Sequence, residues 1–249
     1  MPILTVLLIG AIVLVGYFQN AVTGFGGTVL SLPFVAMMVD LKVAVPALVV
    51  QAWAVGLMVT IESRRHIVWR EYLKLTLLMA AGLPVGIWLM AFMPEGPLKV
   101  FLGVFCILVG VYGLYRPVPS PSADASAIKR GALAALLPLA GIVHGAFATG
   151  GPLAVVYAAR AIPDKSLFRV TLSMLWLTLN TIMVAQFAVA GRYHGETLTL
   201  AGACLPFTVL GFIGGTAAHY RLNEVLFRRI VYSILIAAAA GLLVSLARG

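Results

Sequence analysis

Two short stretches hold the residues best placed to do chemistry: "NAVTGFGGT" (20–28) and "ATGGP" (148–152). Each sets a Gly-Gly pair beside hydroxyl and amide side chains, inside runs that are otherwise apolar. Glycine permits positive φ and close backbone approach, and Pro152 suits the first turn of a helix, where its missing N–H costs nothing. A helix ends in each stretch and another begins, on this reading. The new N-terminus would offer free amides and the positive end of a dipole, which together favour an anion. The candidate ligand-binding residues are Asn20, Thr23, Gly24, Phe25, Gly26, Gly27 and Thr28 in the first stretch. In the second they are His144, Thr149, Gly150 and Gly151, with Gln51 and Asn180 as polar residues that could line the same cavity. His144 is the one ionisable side chain expected at mid-depth. A cation carrier or proton pump would place carboxylates there; here Glu62, Glu71 and Lys74 fall at the ends of runs.

The elements that must position these residues are membrane helices. The 249-residue chain is 62% hydrophobic and 10% charged, with a mean hydropathy of +1.06, whereas a soluble domain carries about 25% charged residues. Apolar runs fall at about 3–19, 28–39, 43–61, 72–92 and 98–115, then at about 130–147, 151–160, 166–190, 197–218 and 225–246. The runs at 28–39 and 151–160 are too short to cross a bilayer, which takes roughly 20 residues. The first run has no basic residue before it, Lys42 being the first, so it reads as a retained helix rather than a cleaved signal. Cys106 and Cys204 lie in separate apolar runs and read as core thiols. No metal-ligand set, aspartyl pair at depth or cofactor motif is evident, so no cofactor is expected and an enzyme is disfavoured.

The two halves read as a repeat. At an offset of 124, Asn20 falls on His144, Gly26-Gly27 on Gly150-Gly151, and Asp40 on Asp164; at 129, Gly82 and Gly86 fall on Gly211 and Gly215. For these last four glycines, tight helix crossing is the preferred role. The expected organisation is a first transmembrane repeat (1–115), a Pro- and Ser-rich cytoplasmic linker (116–128) and a second repeat (129–249).

Loop charge sets the topology. If each short segment returns the chain to the face it came from, 13 of the 17 Lys and Arg residues lie on one face; otherwise the split is nearly even. The positive-inside rule favours the first arrangement: an all-α polytopic protein of two inverted-topology repeats of about five segments, each with a broken helix. Both termini would then lie outside. The same rule accounts for the net charge of +9 without nucleic acid.

The pairing of "NAVTGFGGTVLSLPFV" with "GAFATGGPLAVVYA" resembles the TauE/SafE family of sulfite and organosulfur-anion exporters. Gly24, Gly26, Gly27 and Pro33 match the first family motif. Gly150, Gly151 and Pro152 match the second, with Ala148 where a glycine is often seen. The resemblance implies a secondary transporter of the bacterial inner membrane, an exporter of a small sulfur-containing anion such as sulfite, sulfoacetate or another organosulfonate, working by alternating access around a mid-depth site at the two breaks. A passive anion channel and a non-transporting membrane subunit are the alternatives.

Overall fold

The computed structural model describes residues 2–115, 133–162, 164–218 and 224–248; the expected linker 116–128 lies outside them. Among the described residues the main α-helices are, in order, α1 (Ile3–Thr23), α2 (Gly27–Val35), α3 (Leu41–Ser63), α4 (Trp69–Phe92), α5 (Glu95–Tyr115), α6 (Leu137–Phe147), α7 (Gly151–Ala161), α8 (Lys165–Val189), α9 (Gly195–Ala218) and α10 (Glu224–Arg248). The protein is an all-helical membrane protein. Seven of the described helices, all but α2, α6 and α7, are long and apolar enough to cross a bilayer. Their outward faces carry large apolar side chains such as Leu77, Trp88, Phe92 and Leu210, as contact with hydrocarbon requires.

Helix association in lipid has no hydrophobic drive of its own and depends on close packing between small residues. Two crossings show this at full strength. On α4, a Cβ added at Gly82 would overlap the carbonyl oxygen of Pro138, and one at Gly86 the carbonyl oxygen of Ile142 on α6. On α9, a Cβ at Gly211 would stand 2.5 Å from the Leu14 carbonyl oxygen of α1, and one at Gly215 would overlap that of Phe18. The partners are related by the offsets read from the sequence: Leu14 and Phe18 fall on Pro138 and Ile142 at 124. The four glycines therefore do pack helices, and each crossing joins one half of the chain to the other.

The same contacts fix helix direction. Pairs 82 with 138 and 86 with 142, like 211 with 14 and 215 with 18, advance together, so these helices run parallel. Gly56 meets Ser173 and Leu177 while Trp53 bonds Thr181, so α3 and α8 run antiparallel; Gly103 meets Leu243 and Gly113 meets Tyr232, so α5 and α10 do too. Chain reversal in the first half occurs at α1–α2, where Tyr17 meets Thr28 and Gly16 meets Ser31. Following these directions puts Lys42, Lys99, Arg192 and Arg248 at helix ends on one face. Arg65, Arg70, Lys74, Arg160 and Lys165 gather at ends on the other, which we call the basic face. The sparser face is tied by Glu95, whose Oε1 accepts from the Leu41 amide at 3.0 Å and pairs with Lys99 Nζ at 2.8 Å. Its hydrogen bond to Asp40 holds that carboxyl above the ordinary carboxylate range.

Because backbone atoms, not pliable side chains, oppose Gly82 and Gly86, Gly82→Ala and Gly86→Ala are each expected to cost about 1–3 kcal/mol by overpacking. Gly202→Ala on α9, with nothing within 4 Å of the added carbon, should be neutral. Thermal unfolding in detergent measures this; equal behaviour of all three variants would contradict the packing argument.

Candidate functional site

The two glycine breaks meet. Helix α1 ends at Gly24, whose φ of 84° is left-handed and whose N–H donates to the Asn20 carbonyl at 2.7 Å. At the equivalent place α6 ends at Ala148, also left-handed at φ 55°, with its N–H donating to the His144 carbonyl at 2.6 Å. Beyond these points the geometries part. Gly26 is again left-handed (φ 93°), whereas Gly150 lies in the right-handed region at −66°. Ala148 accepts a conformation that costs an L-residue roughly 1–2 kcal/mol, and is the only non-glycine with positive φ among the described residues.

Protein groups satisfy the broken ends. Gln19 Nε2 donates to the Phe25 carbonyl at 3.1 Å and to Thr23 Oγ1 at 3.0 Å, and the Thr23 hydroxyl lies 2.8 Å from the same carbonyl. Trp176 Nε1 on α8 donates to the Gly24 carbonyl at 3.2 Å, tying the second half to the first break. Helices α2 and α7 both begin without a side-chain cap, so their first-turn amides remain available.

Between the breaks lies a cavity of about 30 Å³, lined by Asn20, Gly26, Gly27, Thr28, His144, Ala148, Gly151, Ser173, Trp176 and Asn180, with Ala52, Val55 and Gly56 behind. At about 10–15 Å³ per water it holds roughly two waters or a compact polar group. It sits at mid-length of α3 and α8. His144 stacks on Trp176 (centroids 5.3 Å apart, planes at 27°). Both ring nitrogens of His144 and both amide atoms of Asn180 are buried with no hydrogen bond of good geometry, although the two side chains face each other closely enough to interact. Such groups cost about 1–3 kcal/mol each if left unsatisfied, so they call for water or a polar ligand.

Of the residues named from sequence, Asn20, Gly26, Gly27, Thr28, His144, Gly151 and Asn180 line this cavity. Thr23, Gly24, Phe25 and Gly150 shape the breaks behind it, with Phe25 packed against Gly151. Thr149 is buried nearby with its hydroxyl unpartnered. Gln51 lies apart from these residues. It does not line the cavity, because its amide nitrogen donates to the Ala201 carbonyl at 2.7 Å and its oxygen accepts from Thr208 at 2.8 Å, joining α3 to α9. Trp176 and Ser173 escaped notice, as did Gln19. Their signal was spacing: Ser173, Trp176 and Asn180 recur at steps of three and four, one face of α8.

The family model for sulfite exporter TauE/SafE matches residues 8–242, nearly the whole chain. A "Probable inner membrane transporter protein TsaS" from Comamonas testosteroni is 24% identical over 179 residues, covering 72% of this chain and 73% of that protein. No solved structure matches. The chain belongs to the TauE/SafE family of membrane transporters.

The unequal breaks give an asymmetric expectation. Gly24→Ala should lower stability by about 1–2 kcal/mol through left-handed strain, aggravated by Arg169 Cα, 3.2 Å from the added carbon. Ala148→Gly relieves strain and should leave melting temperature in detergent unchanged or higher. Equal losses at both positions would refute it.

Proposed function

We propose that this TauE/SafE member carries a small sulfur-containing anion, such as sulfite, sulfoacetate or another organosulfonate, by alternating access around the cavity between the breaks. The observation that carries the reading is the meeting of two uncapped helix N-termini on one cavity with unpartnered polar side chains. Amides of Gly27, Thr28 and Gly151 and the α2 and α7 dipoles stabilise negative charge without a full countercharge. Asn20, Thr28, His144 and Asn180 supply further donors. A site built from partial charges holds an anion and still lets it leave.

The two-repeat organisation, 1–115 and 129–249 about a cytoplasmic linker, belongs to the same proposal. It is supported by the matched crossings, Gly82–Pro138 with Gly211–Leu14 and Gly86–Ile142 with Gly215–Phe18, and by the parallel helix directions. In such transporters one repeat rocks against the other about a fixed central site. Basic residues gathered on one face support a cytoplasmic basic face, with both termini outside. The Comamonas relative, an inner membrane transporter by name, supports a bacterial inner membrane. A non-transporting subunit would have no use for a polar cavity at the breaks.

Gly151 offers a clean test, since an added Cβ meets only ordinary contacts, Phe25 at 3.4 Å and Trp176 at 3.8 Å. In proteoliposomes, wild type should move sulfite, sulfoacetate or taurine saturably and with trans-stimulation, which separates a carrier from a channel. Gly151→Ala should keep most of the flux; Gly151→Leu, which fills the cavity, should abolish it. Undiminished transport by Gly151→Leu would remove the breaks from the mechanism.

A further inference from the structure

Among the described residues that line the cavity between the breaks, His144 is the one side chain that titrates near neutral pH. At the offset of 124 its counterpart is Asn20, an amide on the same cavity with no proton to exchange. His144 is 2% and Asn180 1% exposed, and neither the ring nitrogens nor the amide atoms make a hydrogen bond of good geometry. The two side chains still face each other closely enough to interact. Stacking on Trp176 holds the ring in place and leaves its nitrogens uncommitted.

Charge is kept away from this pair. Helix α4 meets α6 at Met79, Gly82, Leu83 and Gly86, α7 meets it at Gly150, and α5 reaches it through Phe101 stacked on Phe147. The walls given by α1, α2, α3 and α8 are amide, hydroxyl, aromatic or apolar. Tyr17 backs the first break, but its hydroxyl is bonded to Thr28 Oγ1 at 3.2 Å and to the Leu48 carbonyl at 3.0 Å. Glu71, Lys74, Arg160, Lys165 and Arg169 belong to the basic-face ends of α4, α7 and α8, and Lys42, Glu95 and Lys99 to the other face.

Each helix N-terminus is equivalent to roughly half a positive charge, so α2 and α7 together balance about one negative charge. A monoanion is thereby matched while His144 is neutral. One ring N–H points at the anion, and the other nitrogen accepts from the Asn180 amide. A dianion leaves about one negative charge uncompensated in a buried site, which is costly. A proton on the imidazole removes that deficit. Both ring nitrogens then donate, one to the anion and one to the Asn180 oxygen. Asn180 serves either state by presenting its nitrogen or its oxygen, since no other group fixes its amide.

We infer that His144 sets the charge state of the cargo: a monoanion binds beside the neutral ring, whereas a dianion enters together with one proton, carried on His144. The inference rests on the transport reading above. The proton comes from the solution that the anion leaves and is released into the one it reaches. Each dianion therefore crosses as a net single negative charge, with Asn180 as the positioning residue for the charged ring.

The test uses the full chain in proteoliposomes with an internal pH dye and the membrane potential clamped. Two probes differ in charge above the ordinary carboxylate range: methanesulfonate carries a single negative charge and sulfoacetate carries two. Sulfoacetate uptake should acidify the lumen by one proton per anion, and methanesulfonate uptake should not. The KM for sulfoacetate should rise toward about tenfold per unit of outside pH, the limit for uptake of one proton, while that for methanesulfonate stays flat. His144→Asn, which copies the paired position Asn20, should lower sulfoacetate flux about tenfold more than methanesulfonate flux and abolish the proton movement. Asn180→Leu removes the oxygen that accepts from the charged ring and should shift the same ratio in the same direction. If His144 only packs against Trp176, both probes lose flux by one factor, which overturns the inference. Should His144→Asn not fold, the wild-type proton count decides alone, and sulfoacetate moving without a proton overturns it. A wild type that carries some of sulfite, taurine, sulfoacetate and methanesulfonate, but not both probes, overturns this inference and leaves the transport reading standing. One that carries none of the four overturns both.

Discussion

A helix that stops inside hydrocarbon leaves amides and carbonyls that only the protein can satisfy. That constraint organises the molecule. The carbonyl of Gly24 is answered by the Trp176 indole, and that of Phe25 by Gln19 and Thr23. Trp176 in turn supports the His144 ring, so closing one break positions a polar group of the other. The uncapped N-termini of α2 and α7 are then the groups left over, and they face a cavity rather than lipid. A site made of leftovers needs no charged side chain at its centre, which fits a chain with so little charge between its helix ends.

Glycine serves two separate ends here. At Gly24 and Gly26 it allows left-handed backbone at a chain reversal. At Gly82, Gly86, Gly211 and Gly215 it is helical and simply thin, letting one backbone rest on another. The second use locks α1 to α9 and α4 to α6, so each broken helix is clamped by an unbroken one from the opposite half. The clamps hold the breaks at a common depth.

Much of this was legible in the sequence because hydrocarbon imposes simple rules. Helix positions followed from apolar length, and the short segments α2 and α7 from runs too brief to cross. Offsets of 124 and 129 relate the glycines and the carbonyls that meet at the two crossings. What escaped was whatever depends on side-chain direction. Gln51 and Asn180 look alike, each a lone amide in an apolar run, yet Gln51 bonds α9 while Asn180 faces the cavity. Nothing local to either residue separates those fates; the neighbouring helix does. Trp176 and Ser173 looked like ordinary interior of a span, and only the position of α8 beside both breaks gives them a role. Arg169 lies four residues into α8, and its stem packs on Gly24 of another helix.

The cross-half clamps also bear on the order of assembly. Chains enter the membrane from the N-terminus onward, and α1 finds its parallel partner only in α9, after most of the second half has been made. Until then the first five helices wait in the bilayer with α4's glycine groove and the broken end of α1 uncovered. The two halves must therefore mature together: α6 covers α4's glycine groove, α9 packs along α1, and α8 brings Trp176 to the Gly24 carbonyl. Truncation after the fifth helix would leave a half-protein whose least tolerable groups face hydrocarbon, a natural signal for the proteases that police the membrane.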